Sequence, residues 1–154
     1  MKYRDYKVGF TFEAPDHLSE VREASYEVFG VEEGTLKHFI VLDDDGEIVR
    51  SLSINCDEKV VKTQDEFLQA VRTSVDEFER VGLRKVMNDT LTTPSGREIE
   101  RYIFCDVDQP EDIGILIYFT KVKDKLVVSS TYVTEFFDVY ETELYNIFDS
   151  IQEL

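Results

Sequence analysis

Two clusters of oxygen donors are the first candidates for chemistry in this chain of 154 residues. Asp43, Asp44 and Asp45 run into Gly46, and Asp106, Asp108, Glu111 and Asp112 crowd a second short stretch. Carboxylates at such density suit a hard divalent cation, calcium or magnesium, which could in turn activate water for hydrolysis. The first run faintly resembles a calcium loop but lacks the remaining ligand spacing and the distant Glu that complete one. Asp43, Asp45, Asp106, Asp108 and Asp112 are therefore candidate metal ligands only if the fold brings the two loops together. The default reading is solvated turn acids on a protein that is acidic throughout. Paired carboxylates would also suit glycosidase-type acid–base catalysis, but no spacing places two of them across a cleft.

Other reactive groups are sparse. The two histidines, His17 and His38, belong to no HxH or HxxxH pattern, so neither reads as a metal ligand or general base. The two cysteines, Cys56 and Cys105, lie outside any CxxC, and Asp106 beside Cys105 disfavours a reactive thiolate. They read as small buried hydrophobes in a reducing compartment, with a single disulfide between them as the alternative in an exported protein. No GxSxG elbow, P-loop or GxGxxG occurs.

Aromatic residues are abundant, with eight Tyr and eleven Phe. Phe136, Phe137 and Tyr140 cluster late in the chain, and Tyr102, Tyr118 and Tyr132 fall in neighbouring strand patterns. Tyrosine favours sites that are apolar at one end and wet at the other, so these six are candidates to line a ligand or partner groove, with core packing as the default. The final twenty residues also carry six acids (Glu135, Asp138, Glu141, Glu143, Asp149, Glu153) and no Lys or Arg. Glu141 and Glu143 are the acids proposed to meet a basic partner, since charge of one sign steers association with the other.

The overall charge narrows the partner classes. Seventeen basic against thirty-three acidic residues give a net charge of −16, which repels nucleic-acid phosphates and anionic lipid. Residues 1–20 hold no signal-peptide core, and no window approaches the ~18 apolar residues of a membrane helix. The chain as given reads as soluble and cytoplasmic; a leader or anchor trimmed from it would escape this reading.

Residue spacing predicts the elements that must position these groups. Period-2 alternation places strands over about 6–13, 24–31, 35–42 and 47–56, with Asp43–Gly46 turning the last pair. Thr63-Gln64-Asp65-Glu66 fits a capping box, and Phe67, Leu68, Val71, Val75, Phe78 and Val81 form one helical stripe ending at Gly82, so residues 64–81 are predicted helical. Four further strands are expected over 84–92, 97–107, 113–121 and 126–134, and a second helix over about 138–152. The order β4–α–β4–α, with an antiparallel sheet and helices packed on it, places the single domain of residues 1–154 in the α+β class.

That order resembles the PsbP-like family, an α–β–α sandwich shared by a photosystem II extrinsic subunit and a nuclear Ran-binding factor. Gly9-Phe10-Thr11-Phe12-Glu13-Ala14-Pro15 is similar to the family's opening strand, and the stretch from Thr63 to Gly82 stands where its long first helix lies. Gly96 to Phe104, with Tyr102 in mid-strand, resembles a family hairpin. Ile147-Phe148-Asp149-Ser150-Ile151 resembles the closing helix. Where the family often has Trp after the opening Pro, this chain reads His17-Leu18. The resemblance implies binding or assembly roles without a shared chemistry. The expectation is a non-enzymatic module that recognises a basic protein or small ligand through a sheet–helix groove and an acidic surface, needing no cofactor and present as a monomer or homodimer. A calcium- or magnesium-assisted hydrolase using the acidic loops is the alternative.

Overall fold

Alternating apolar residues extend most of the chain into strands, and two amphipathic helices cover what the strands cannot bury alone. The computed structural model describes residues 1–31, 34–106, 114–133 and 137–154, excepting the side chains of Glu58, Asp106, Tyr132, Val133, Phe137 and Asp138. Seven strands form one antiparallel sheet: β3 (Ser19–Glu20), β4 (Thr35–Leu42), β5 (Ile48–Val60), β6 (Leu83–Thr92), β7 (Glu98–Asp106), β8 (Gly114–Val122) and β9 (Lys125–Val133), in the spatial order β3-β4-β5-β9-β8-β7-β6. Strands β1 (Lys2–Asp5), β2 (Phe10–Glu13) and β10 (Gln152–Glu153) make a separate sheet in the order β1-β2-β10.

Helix α2 (Gln64–Arg80) closes one face of the large sheet, packing Phe67, Val71 and Val75 against Phe104, Ile117 and Phe119. Helix α3 (Phe137–Asp149) and the small sheet close the other, where Phe10, Phe12, Leu144 and Phe148 meet Phe39, Leu52, Leu116 and Tyr118. Each such side chain taken from water contributes about 1.5–3 kcal/mol. The architecture is the expected α+β sandwich with a helix on each face. Helix α2 begins as its sequence predicts: the Thr63 hydroxyl accepts the Glu66 N–H at 3.1 Å. The Glu66 carboxylate reaches back one residue further than a capping box requires, to the Lys62 N–H at 3.2 Å.

Four expectations need correction. The strand expected over 6–13 is broken at Tyr6–Gly9, where Gly9 adopts φ +94 and the Asp5 carboxylate accepts the Val8 N–H at 2.8 Å. The strand expected over 24–31 is a 3-10 turn (Glu23–Ser25) followed by the one-turn helix α1 (Tyr26–Phe29). There Gly30, at φ +69, caps the turn, and Val28 is 83% exposed instead of facing inward. The four strands expected in the first half do not form one meander, since β1 and β2 leave for the small sheet. The last helix stops at Asp149, because the Ser150 hydroxyl bonds the Ile147 carbonyl at 2.6 Å and accepts the Glu13 N–H at 2.7 Å, turning the chain into β10.

Candidate functional site

The seam between α3 and the large sheet gathers four ion pairs among the described residues. Arg50 on β5 and Arg101 on β7 each stand in the inward phase of their strand, in line with Leu52 and Ile54 or with Ile99 and Ile103. A guanidinium placed there must find carboxylates, since an unpaired buried charge is costly. Arg50, whose side chain is 3% exposed, donates from Nη1 to Glu143 and from Nε to the Thr131 hydroxyl at 3.4 Å. The other Glu143 oxygen lies 2.7 Å from His17 Nε2. Arg101 grips Asp89 through Nε and Nη2, with the Nε contact at 2.7 Å, and donates from Nη1 to Glu141. The Asp89 hydrogen bonds, reinforced by the charge of Glu141, hold Arg101 above the usual guanidinium range despite its burial.

Glu141 and Glu143 are thus interior counter-ions, and the acids facing solvent lie elsewhere. Tyr140 also belongs to this seam, with its ring centroid 3.9 Å from the Arg50 guanidinium carbon. Tyr118 is fully buried there, edge-on to Phe148 at 5.3 Å between centroids, and its hydroxyl has no partner among the described residues. Burial first, then the Glu141 charge, pushes its phenol well above the ordinary value. Tyr102 sits on the opposite face under α2, stacked on Phe104 and edge-on to Phe119. Tyr102 and Tyr118 therefore do not line one groove, because register places them in opposite phases of neighbouring strands. Tyr132 pairs with Ile115 in backbone register, but its side chain and that of Phe137, together with Phe136, lie outside the described residues.

The acidic loops leave the same end of the large sheet. Strand register puts the β4–β5 turn and the β7–β8 connection three strand positions apart, about 14 Å at ~4.8 Å per strand. Asp108, Asp112 and the Asp106 side chain lie outside the described residues. Asp43 is committed locally, with its Oδ1 accepting the N–H groups of Asp45 at 3.0 Å and Glu47 at 2.9 Å, while Asp45 is exposed. Among the described residues no three His, Cys, Asp or Glu side chains converge to hold a metal. Cys56 on β5 and Cys105 on β7 are likewise three strand positions apart, too far for a disulfide, which needs its Cα atoms within about 7 Å.

The same β4–β5 turn presents a surface feature that corresponds to no sequence motif. Asp43, Asp44, Asp45 and Glu47 are exposed at its tip. On its shoulders Leu42, Ile48 and Val49 are 48%, 47% and 57% exposed. The one local sign of it in the sequence is that Ile48 and Val49 make the strand over 47–56 apolar on both phases at its start.

Comparison with solved structures settles the architecture. The solution structure of cyanobacterial PsbP (CyanoP) from Synechocystis superposes with a TM-score of 0.60 at 17% identity, covering 100% of this chain and 92% of that one. The chain has the PsbP-like fold. The Saccharomyces cerevisiae Ran-binding protein Mog1p shares it at a TM-score of 0.56 and 10% identity, covering 99% of this chain and 94% of that one. A Bacteroides thetaiotaomicron structure aligns at 0.54 and 10% identity over 99% of this chain and 48% of that one. No protein-family model and no curated protein sequence matches the chain. In this PsbP-like fold no helix among the described residues is long and apolar enough to cross a membrane.

Proposed function

We propose that the protein is a non-enzymatic binding or assembly module whose β4–β5 hairpin tip docks on a basic segment of a protein partner. The observation that carries this reading is the exposed apolar trio Leu42, Ile48 and Val49 flanking the acids of the tip. Apolar side chains supply contact area, and the acids supply steering and select against acidic surfaces. A net charge of −16 reinforces attraction to a basic partner over a longer range. The Ran-binding role carried in the name of one similar structure supports a protein partner for this fold. Glu141 and Glu143 contribute no charge to such a surface, being tied to Arg101 and Arg50.

The test is affinity capture from extracts of the source cell, followed by titration of any retained basic protein, purified, against three chains. Wild type should bind with strong salt dependence. Asp44→Lys with Asp45→Lys should weaken binding and flatten the salt dependence, and Ile48→Ser should weaken it at unchanged salt slope. Asp43 is left intact because its carboxylate holds the turn. Equal binding by all three chains would overturn the hairpin as the docking surface.

A further inference from the structure

A second surface has the opposite character. A cavity of about 520 Å³ opens where the first turn of α2, the β6–β7 turn, β8 and the segment entering β10 converge. Its wall includes Gln64, Ser95, Gly96, Arg97 and Lys121, with Glu98 at the acidic margin. Arg97 is held rigidly: Nη1 donates to the Lys121 carbonyl at 2.9 Å and to the Thr120 hydroxyl at 3.3 Å. The Thr120 hydroxyl is itself oriented by the Glu98 carbonyl at 2.9 Å. Among the described residues no carboxylate lies within ion-pair distance of either Arg97 or Lys121, the Glu153 charge reaching Arg97 only from farther away, and the buried Nε of Arg97 has no hydrogen-bond partner. The Lys121 ammonium has only a long contact, 3.4 Å, to the Lys62 carbonyl.

This is anomalous in a chain with nearly two acids for every base. The other two guanidinium groups withdrawn from solvent among the described residues, Arg50 and Arg101, collect one and two carboxylates. Leaving Arg97 without one within ion-pair distance forgoes a stabilising pairing, and a fixed guanidinium beside an ammonium is an arrangement that receives oxyanions. The neighbouring N-terminus of α2 adds the positive end of a helix dipole.

We propose that this cavity binds a small oxyanion, a phosphate or carboxylate group of a soluble metabolite, through the Arg97 guanidinium and the Lys121 ammonium. The volume lies within the ~300–1,000 Å³ range of small-molecule sites and leaves room for more than the anionic group itself. The site is independent of the hairpin tip.

The test is NMR titration of the intact chain with inorganic phosphate and, separately, succinate, each against sodium chloride at matched ionic strength. Saturable shifts at the Ser95, Gly96, Thr120 and Lys121 amides with either probe support the site, and the stronger probe identifies the preferred oxyanion. Lys121→Gln should weaken that binding by about tenfold, the loss expected for one charge-assisted contact. Arg97→Gln should weaken it at least as much. Should Arg97→Gln misfold, Lys121→Gln alone decides, because Lys121 takes no part in the core clusters. Shifts that merely follow ionic strength, or affinity unchanged in Lys121→Gln, would overturn the proposal.

Discussion

The guanidinium carbon of Arg50 rests 3.9 Å from the ring centroid of Tyr140, so that β5 grips α3 through a cation–π contact as well as through the Glu143 ion pair. Removing one member of a buried pair leaves the other charge uncompensated. Glu143→Gln should therefore cost about 3–5 kcal/mol, read from urea unfolding midpoints. Arg50→Met combined with Glu143→Leu should be far more stable than the sum of the single losses, because both desolvated charges vanish together. Additive losses would show that the pair carries no coupling.

Tyr118 offers a test at alkaline pH. Its buried hydroxyl lacks a described partner, and its phenol titrates above the ordinary value. The native state thus holds the proton more tightly than the unfolded chain. Stability from this group is intact below the unfolded value of about 10 and is lost as pH rises beyond it. Tyr118→Phe should be within about 1 kcal/mol of wild type at pH 7 and should lessen the loss of stability between roughly pH 9 and 11. Tyr3, Tyr26 and Tyr102, also raised by burial, should leave a residual slope.

His38 works at the acid end. Burial lowers its value, and its Nδ1 has no described partner, so the native state favours the neutral ring. The stability this provides is complete above about pH 6.5 and is lost as pH falls through the native value. His38→Phe should remove part of the difference between urea midpoints measured at pH 7.5 and 5.0.

The β8–β9 turn carries correctable strain. Lys123 and Asp124 both adopt positive φ, at 50° and 60°, a conformation that two-residue hairpin turns usually fill with Asn-Gly. Asp124→Gly should raise stability by about 0.5–1 kcal/mol, detectable as an upward shift in Tm, since the Asp124 backbone carbonyl that accepts the Val61 N–H remains in place.

The legible parts of the fold were those written in short-range pattern. Helix α2 carries its cap and stripe within twenty residues, and the hairpins β4–β5, β6–β7 and β8–β9 each join strands a few residues apart. Strand β10 was not legible, because its identity depends on pairing with β2 at the far end of the chain. The site followed the same rule. Arg50 stood in the inward phase beside Leu52 and Ile54, a visible sign of a buried cation, but its counter-ion is 93 residues away. Glu141 and Glu143 looked like surface acids because nothing local marks which carboxylate a distant arginine will claim. Arg97 and Lys121 carry no local mark in the sequence because each is ordinary alone; only the sheet makes them neighbours.

Gln152 is the register partner of Thr11, and the Leu154 N–H donates to the Gly9 carbonyl at 3.0 Å. During synthesis on the ribosome, Phe10 and Phe12 emerge well over a hundred residues before the strand and helix that shelter them. The face under α2, drawn from residues 61–126, can consolidate on the nascent chain, while its opposite must wait for residues 144–153. The two phenylalanines consequently stay without their cover for as long as that delay lasts.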